Sequence, residues 1–154
     1  MEKTIIKLEN SAKTRNSLNK AKGEVILDGD DEKLIRYAIK DKKVKIIINI
    51  EKGKRKDFMH SRNSGLNQVL CKLFKERGIT VGFNFDLIYD AKEMERVNLL
   101  GRMMQNVKLC RKYKVKTAVV DFGKRDEKDL NSFGACIGLI QKEFKIIKCW
   151  KVNI

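Results

Sequence analysis

Short apolar runs recur along the chain, and longer segments with a helical pattern separate them. The runs are rich in Ile and Val and are continuous rather than alternating, which is typical of parallel strands covered on both faces. They span residues 4–8, 24–28, 44–50, 79–85 and 115–120. Segment 144–154 predicts a sixth strand, and its lysines favour an edge of the sheet.

The intervening segments have the apolar spacing of amphipathic helices. In residues 65–78, one stripe contains Leu66, Val69, Leu70, Leu73 and Phe74, and Gly78 stands at the expected C-cap. The longest pattern, 93–114, places on one face Met94, Val97, Leu100, Met104 and Val107. Further helices are predicted over 30–41 and 127–143, and a weaker pattern covers 11–22.

This alternation of strands and helices predicts a mainly parallel sheet. The spacing of roughly 25 residues is typical of repeated βα units. A barrel of eight units needs at least about 200 residues, and this chain has 154. We therefore predict an α/β protein with an incomplete or reduced TIM-barrel-like fold, in one domain over residues 1–154.

The charge balance points to a polyanionic partner. The chain has 35 basic and 20 acidic residues, a net charge of +15. Such an excess favours binding to nucleic acid, because each phosphate that Lys or Arg neutralises releases counterions. No acidic residue lies between Glu95 and Asp121, and a second basic cluster occupies residues 52–62. The alternative is a basic surface that is only solvated.

Other features narrow the class of protein. No run reaches the ~18 apolar residues that span a membrane, and the first ten residues lack the apolar core of a signal peptide, so we predict an intracellular protein. The cysteines are far apart, and those in helical patterns (Cys71, Cys110 and Cys136) favour reduced, buried thiols over a zinc site.

Catalytic chemistry has little support in the residues. His60 is the only histidine, and a surface or phosphate-contacting role is favoured over that of a general base. An enzyme remains an alternative because several aspartates lie near predicted strand ends, where α/β enzymes keep their chemistry. These are Asp28, Asp30, Asp31, Asp86, Asp90 and Asp121.

Two long segments carry a family resemblance. The stretch "HSRNSGLNQVLCKLFKERGITVGFNF", followed by "ERVNLLGRMMQNVKLCRKYKV", closely resembles archaeal ribonuclease P protein component 3, the counterpart of the eukaryotic thirty-kilodalton subunit. The likeness covers roughly residues 30–140. Family members are usually longer, with additional βα units before the matching part, and their Arg-Pro-x-Asp-Leu segment reads "GKRDEKDL" here.

The resemblance implies a barrel-like fold without metal ligands and without catalytic residues of its own. It implies a cytoplasmic ribonucleoprotein that removes the 5′ leader from precursor tRNA, in which the RNA subunit holds the magnesium and does the chemistry. The expected partners are ribonuclease P RNA, protein component 2, the other protein components and, indirectly, precursor tRNA. The expected RNA contacts are Lys54, Arg55, Lys56, Arg62, Asn63, Arg96, Arg102, Lys124 and Arg125.

Two other classes stay open. A small metal-dependent phosphoesterase would use the aspartates, and a general basic RNA- or DNA-binding module would use the lysines and arginines. We also expect apolar surface at one side of the sheet, and hence stabilisation by component 2 or by self-association.

Overall fold

The computed structural model describes residues 2–53 and 55–149 and confirms the α/β fold. The strands are β1 (Lys3–Lys7), β2 (Glu24–Asp28), β3 (Val44–Ile48), β4 (Thr80–Asn84), β5 (Thr117–Asp121) and β6 (Phe144–Lys148). They form one sheet in the order β1-β2-β3-β4-β5-β6, and every neighbouring pair is parallel. This sequential order is that of a reduced TIM-barrel-like fold.

The helices connect successive strands. They are α1 (Ser11–Lys20), α2 (Glu32–Ala38), α3 (Gln68–Arg77), α4 (Phe85–Asp90), α5 (Glu93–Tyr113) and α6 (Glu127–Cys136). Asparagine and aspartate side chains cap most of them: Asn10, Asp31, Asn67, Asn84 and Asp126 accept backbone N–H groups at the N-termini. Gly78 ends α3 in the left-handed conformation, as its position predicts.

Two predicted elements end earlier in the structure because the backbone turns. Predicted strand 44–50 stops at Ile48, since Asn49 has a φ of 62° and cannot continue the ladder. Predicted helix 127–143 stops at Cys136, and Gly138 follows with a φ of 97°. The sixth strand spans only 144–148, and residues 150–154 of its predicted range lie outside the described residues.

The sheet has an apolar layer on each face. The larger core lies between the sheet and the helices and includes Val25, Leu27, Ile35, Leu70 and Phe74. The smaller cluster is formed by Ile26, Ile46, Ile48, Val120 and Cys149. Ile26, Ile46 and Ile48 alternate with the residues of the larger core, so this second cluster occupies the opposite, inner face of the curved sheet.

The predicted face of α5 is wrong for three of its residues, because Met94, Val97 and Met104 are exposed. Val107 is buried as predicted, and the buried face otherwise contains Leu99, Met103 and Cys110 together with two polar residues. In α3, Val69 is likewise exposed, although Leu66, Leu70 and Phe74 are buried as predicted.

The cysteines also differ in part from the prediction. Cys71 and Cys110 are buried free thiols, whereas Cys136 is exposed because it is the last residue of α6. Among the described residues, no helix is long and apolar enough to cross a membrane.

Candidate nucleic-acid interface

The connection from residue 49 to residue 67 carries most of the predicted RNA contacts, and it begins in a polar ladder. Asn49 donates to the Asp28 carboxylate at 2.7 Å and accepts from the Asn84 amide at 3.1 Å. These side chains follow or end β2, β3 and β4 at the carboxyl end of the sheet. The positive φ of Asn49 thus starts the loop where barrel proteins usually place function.

Helix α5 holds this loop with three polar side chains, Arg102, Gln105 and Asn106, which we call the loop clamp. Arg102 is only 6% exposed. Its guanidinium donates to the carbonyls of Glu51 at 3.1 Å, Gly53 at 3.0 Å and Arg55 at 2.7 Å. One planar donor fork therefore fixes the first half of the loop.

The other two clamp residues fix the second half of the loop. Gln105 donates to the Arg62 carbonyl at 2.7 Å and accepts from the Arg62 N–H at 2.9 Å. Asn106 donates to the Glu51 carboxyl at 2.9 Å and to the Ser64 carbonyl at 3.2 Å. The loop is consequently ordered by side chains far away in sequence.

Arg62 lies against α5. A Cβ atom at Gly101 would collide with the Arg62 guanidinium, so this helical glycine makes room for it. Arg62 also pairs with Asp57 at 3.3 Å. The Asn63 N–H donates to Asp57 at 2.8 Å and, with the charges of Arg102 and Arg62, it lowers the pKa of that carboxyl.

Arg55 is directed into its own loop. It donates to the Ile50 carbonyl at 2.7 Å and to the Lys52 carbonyl at 3.3 Å, and it lies 3.7 Å from the Asp30 carboxylate. Lys56 is exposed, so it can reach a phosphate, whereas Lys54 lies outside the described residues.

Arg96 caps the end of α4. It donates to the carbonyls of Ile88 at 3.1 Å, Tyr89 at 3.3 Å and Ala91 at 2.7 Å. Such carbonyls have no partner within the helix, so a guanidinium stabilises them.

Arg125 joins the start of α4 to the end of β5 at the carboxyl end of the sheet. It lies 2.6 Å from both Asp86 and Asp121, and its guanidinium stacks 4.7 Å from the Phe85 ring and 4.8 Å from the Tyr89 ring. Lys124 beside it is exposed.

The predicted arginines therefore share one property that the sequence did not show: each is bound to its own chain. Their role toward RNA stays a prediction, and the exposed side chain of Lys56 can reach a phosphate. Sequence reasoning missed the loop tip. Phe58 is 62% exposed and Met59 is 91% exposed. The sequence feature that could have identified this tip is the apolar pair Phe58 and Met59 within an otherwise basic and polar loop.

The described residues form no assembled catalytic site for the predicted phosphoesterase alternative. His60 is exposed, and no hydrogen bond or ion pair joins it to another described residue. Of the predicted aspartates, Asp28 binds Asn49, Asp86 and Asp121 bind Arg125, and Asp31 caps α2. Asp30 lies beside Arg55. Within residues 2–53 and 55–149, no three His, Cys, Asp or Glu side chains are grouped to hold a metal ion.

Comparison with known proteins gives consistent sequence matches. The chain is 29% identical over 110 residues to Ribonuclease P protein component 3 of Methanosarcina acetivorans, covering 70% of this chain and 43% of that protein. The protein of the same name from Methanosarcina mazei is 27% identical over 110 residues, with the same coverage of both chains. That of Methanococcoides burtonii is 28% identical over 120 residues, covering 75% of this chain and 46% of that protein. The chain thus spans less than half the length of these relatives. No family model matches the sequence.

The fold comparison agrees. A chain in a cryo-EM structure of archaeal ribonuclease P with mature tRNA superposes with a TM-score of 0.71 at 23% identity. The superposition covers 89% of this chain and 60% of that one. The predicted resemblance is confirmed: this chain is similar in sequence to Ribonuclease P protein component 3 of these archaea, and it shares its fold with the chain of the cryo-EM structure.

Proposed function

We propose that this chain is a protein subunit of ribonuclease P, the ribonucleoprotein that removes the 5′ leader from precursor tRNA. The carrying observation is the sequence relationship to component 3 over 70% of the chain, together with the shared fold. The polypeptide supports the RNA, and the RNA subunit performs the cleavage with its own magnesium ions. We place the complex in the cytoplasm.

The loop geometry supports a scaffolding role. The loop clamp orders a basic connection at the carboxyl end of the sheet, and its tip presents Phe58 and Lys56 to solvent. Aromatic side chains stack on unpaired bases, and lysines neutralise neighbouring phosphates. A rigid loop binds RNA with a smaller loss of conformational entropy than a flexible one.

The same sequence relationship supports a proposal for the protein partners. We propose that the chain pairs with protein component 2 and works with the other protein components, so that it meets precursor tRNA only through the assembled particle. The exposed apolar face of α5, which contains Met94, Val97 and Met104, is the surface we assign to component 2.

Reconstitution tests the proposal. Ribonuclease P RNA, component 2 and the other protein components are assembled with and without this chain, and 5′-leader removal from a precursor tRNA is measured. We expect the chain to increase the cleavage rate at limiting magnesium. Equal rates with and without the chain would reject the proposal.

Two further assays separate the alternatives. A phosphoesterase would give turnover of a phosphodiester substrate by the isolated protein in Mg²⁺ or Mn²⁺. A general nucleic-acid-binding module would bind bulk tRNA as tightly as it binds ribonuclease P RNA in direct competition.

A further inference from the structure

Five lysines surround a cavity at the amino end of the sheet, opposite the loop clamp. The cavity has a volume of about 490 Å³. It is lined by the beginnings of all the strands, from Lys3 in β1 through Thr80 in β4 to Phe144 in β6. The beginnings of β1 and β6, the two edges of the open sheet, thus line the same cavity, which we call the amino-end mouth. Its lysines are Lys3, Lys45, Lys116, Lys142 and Lys145.

The charge of the mouth is not neutralised by the protein. Within residues 2–53 and 55–149, the side-chain ammonium groups of the five lysines have no hydrogen bond and no ion pair. Two carboxylates line the cavity, Glu24 and Glu143. Arg111 binds Glu143 through two hydrogen bonds of 2.7 and 2.9 Å, which holds its pKa at about 2. Among the described residues that line the cavity, Glu24 is therefore the carboxylate left to offset the charge of the lysines.

Five lysines around one cavity raise the electrostatic free energy of the unbound protein. Like charges that converge on one cavity repel, and a low-dielectric wall strengthens their field. Lysines also accumulate near helix C-termini for local electrostatic reasons. That explanation applies to a residue such as Lys112 in the last turn of α5. It does not apply to Lys45 and Lys145, which lie within strands β3 and β6.

We infer that the amino-end mouth binds the phosphodiester backbone of single-stranded RNA, as a phosphate site separate from the loop at the other end of the sheet. The choice of RNA as the occupant rests on the proposed function. The shape agrees with it, since a planar membrane cannot reach into a concave mouth. A single backbone enters a cavity of this size with its phosphates facing several lysines, whereas a duplex is too broad.

The site also explains the acid-free stretch between Glu95 and Asp121. The end of α5 and the connection to β5 deliver Lys114 and Lys116 to this end of the sheet, and an acidic residue there would neutralise the field. Lys116 lines the mouth directly.

The test compares two triple variants of the full chain. The mouth variant carries Lys45→Gln, Lys116→Gln and Lys145→Gln, and the control carries Lys33→Gln, Lys72→Gln and Lys128→Gln. All six lysines are exposed, and each triple removes the same charge. Binding of a fluorescent twelve-nucleotide oligouridylate is measured by anisotropy over a range of KCl concentrations.

For the mouth variant we expect the affinity to fall by at least about tenfold and the salt slope to decrease by about 2. Each phosphate of a single strand that a lysine no longer neutralises reduces the slope by roughly 0.7. The control should change both quantities far less. Equal decreases in the two variants would overturn the inference. Amide NMR shifts at Thr80, Thr117 and Phe144 on adding oligouridylate to the wild-type chain supply a readout that needs no variant.

Two further outcomes identify what has failed. Polyglutamate that displaces the oligouridylate as well as unlabelled RNA of equal charge does would overturn the assignment to RNA. A wild-type chain that leaves precursor-tRNA cleavage unchanged would reject the ribonuclease P role. The mouth site would still stand if only the mouth variant loses oligouridylate binding.

Discussion

At the residue scale, a proton on the Glu51 carboxyl would give a hydrogen bond to two buried oxygens, one on Glu51 and one on Asn106 of the loop clamp. Glu51 accepts from Asn106 Nδ2 at 2.9 Å, yet Glu51 Oε2 and Asn106 Oδ1 are both buried with no hydrogen-bond partner among the described residues. Two acceptors cannot bind each other, whereas a protonated carboxyl donates to the amide oxygen and closes a ring of two hydrogen bonds. Burial raises the pKa of Glu51 and outweighs the hydrogen bond from Asn106 and the charges of Arg55 and Arg102, which lower it. We therefore expect the neutral carboxyl of Glu51 to persist to higher pH in the folded chain than in the unfolded chain.

Glu51→Gln tests this arrangement, because glutamine supplies the donor without a proton. The folded pKa of Glu51 is raised above its ordinary 4.5, so its stabilising contribution is complete below pH 4.5 and is lost as the pH rises through the folded pKa. The Glu51→Gln variant does not lose this stabilisation, because glutamine does not titrate. Its advantage in the free energy of unfolding should grow from pH 4 to pH 8 in urea titrations. A difference that stays constant with pH would show that folding does not raise the pKa of Glu51.

Variants of His60 and Arg62 distinguish a catalytic role of this loop from a role in binding RNA. We expect His60→Ala to slow the reconstituted enzyme only modestly, since a neutral phosphate contact contributes about 0.5–1.5 kcal/mol. Losing a general base typically costs 10²–10⁴-fold in rate. Single-turnover cleavage at saturating magnesium measures the step. A thousandfold decrease with normal binding would place the histidine in an active site.

Arg62→Ala is the companion variant at the loop. We expect it to weaken RNA binding and to reduce the salt slope by about one phosphate contact. Because Arg62 also pairs with Asp57, circular dichroism must first show that the variant retains its fold. An unchanged salt slope would assign the guanidinium to holding the loop alone.

At the element scale, the sequence predicted the kind and order of the main elements but not the rotation of α5. The helix has two apolar stripes, and the exposed one, Met94–Val97–Met104, contains no charge. The buried stripe includes Arg102 and Asn106. Their partners are loop carbonyls about 40 to 50 positions away along the chain. Local periodicity carries no information on such distant partners, so the polar residues made the buried face look like the solvent face.

The same limit explains the candidate site. The arginines were predicted from composition and from the family resemblance, and both identify basic residues without showing what they contact. Arg96 and Arg125 bind carbonyls and carboxylates that only the fold brings near them. The C-cap of α3, in contrast, was readable from the sequence, because Gly78 acts on neighbours within a few residues.

Adjacent methionines test the rotation of α5. Met103 is fully buried, and Met104 is 45% exposed. Met103→Ala should destabilise the chain by about 2–5 kcal/mol through the cavity it leaves. Met104→Ala should change stability by about 0.5 kcal/mol or less. Denaturant unfolding of both variants measures the two values. Equal destabilisation would contradict the observed face.

At the scale of the whole molecule, the sheet is open and one helix face is uncovered. Among the described residues, β1 pairs only with β2 and β6 pairs only with β5. The outward stripe of α5 adjoins a groove lined by Phe85, Tyr89 and Leu100. Exposed apolar surface of this kind marks an interface more often than a solvated face. The molecule is thus basic at both ends of its sheet and apolar along one flank, which suits a subunit held between RNA and another protein.

Component 2 should therefore stabilise the chain by binding that flank. A partner that binds only the folded state raises the melting temperature, and the stabilisation grows with the logarithm of its concentration relative to its Kd. We expect an upward shift with the wild-type chain and none with Val97→Ser/Met104→Ser, because these side chains are exposed and their loss removes contact area but no core packing. Val69→Ser, on the exposed side of α3, is the matched control and should keep the full shift. Should the double variant respond to component 2 as the wild type does, the partner must bind elsewhere, and the free edges of β1 and β6 become the next surfaces to test.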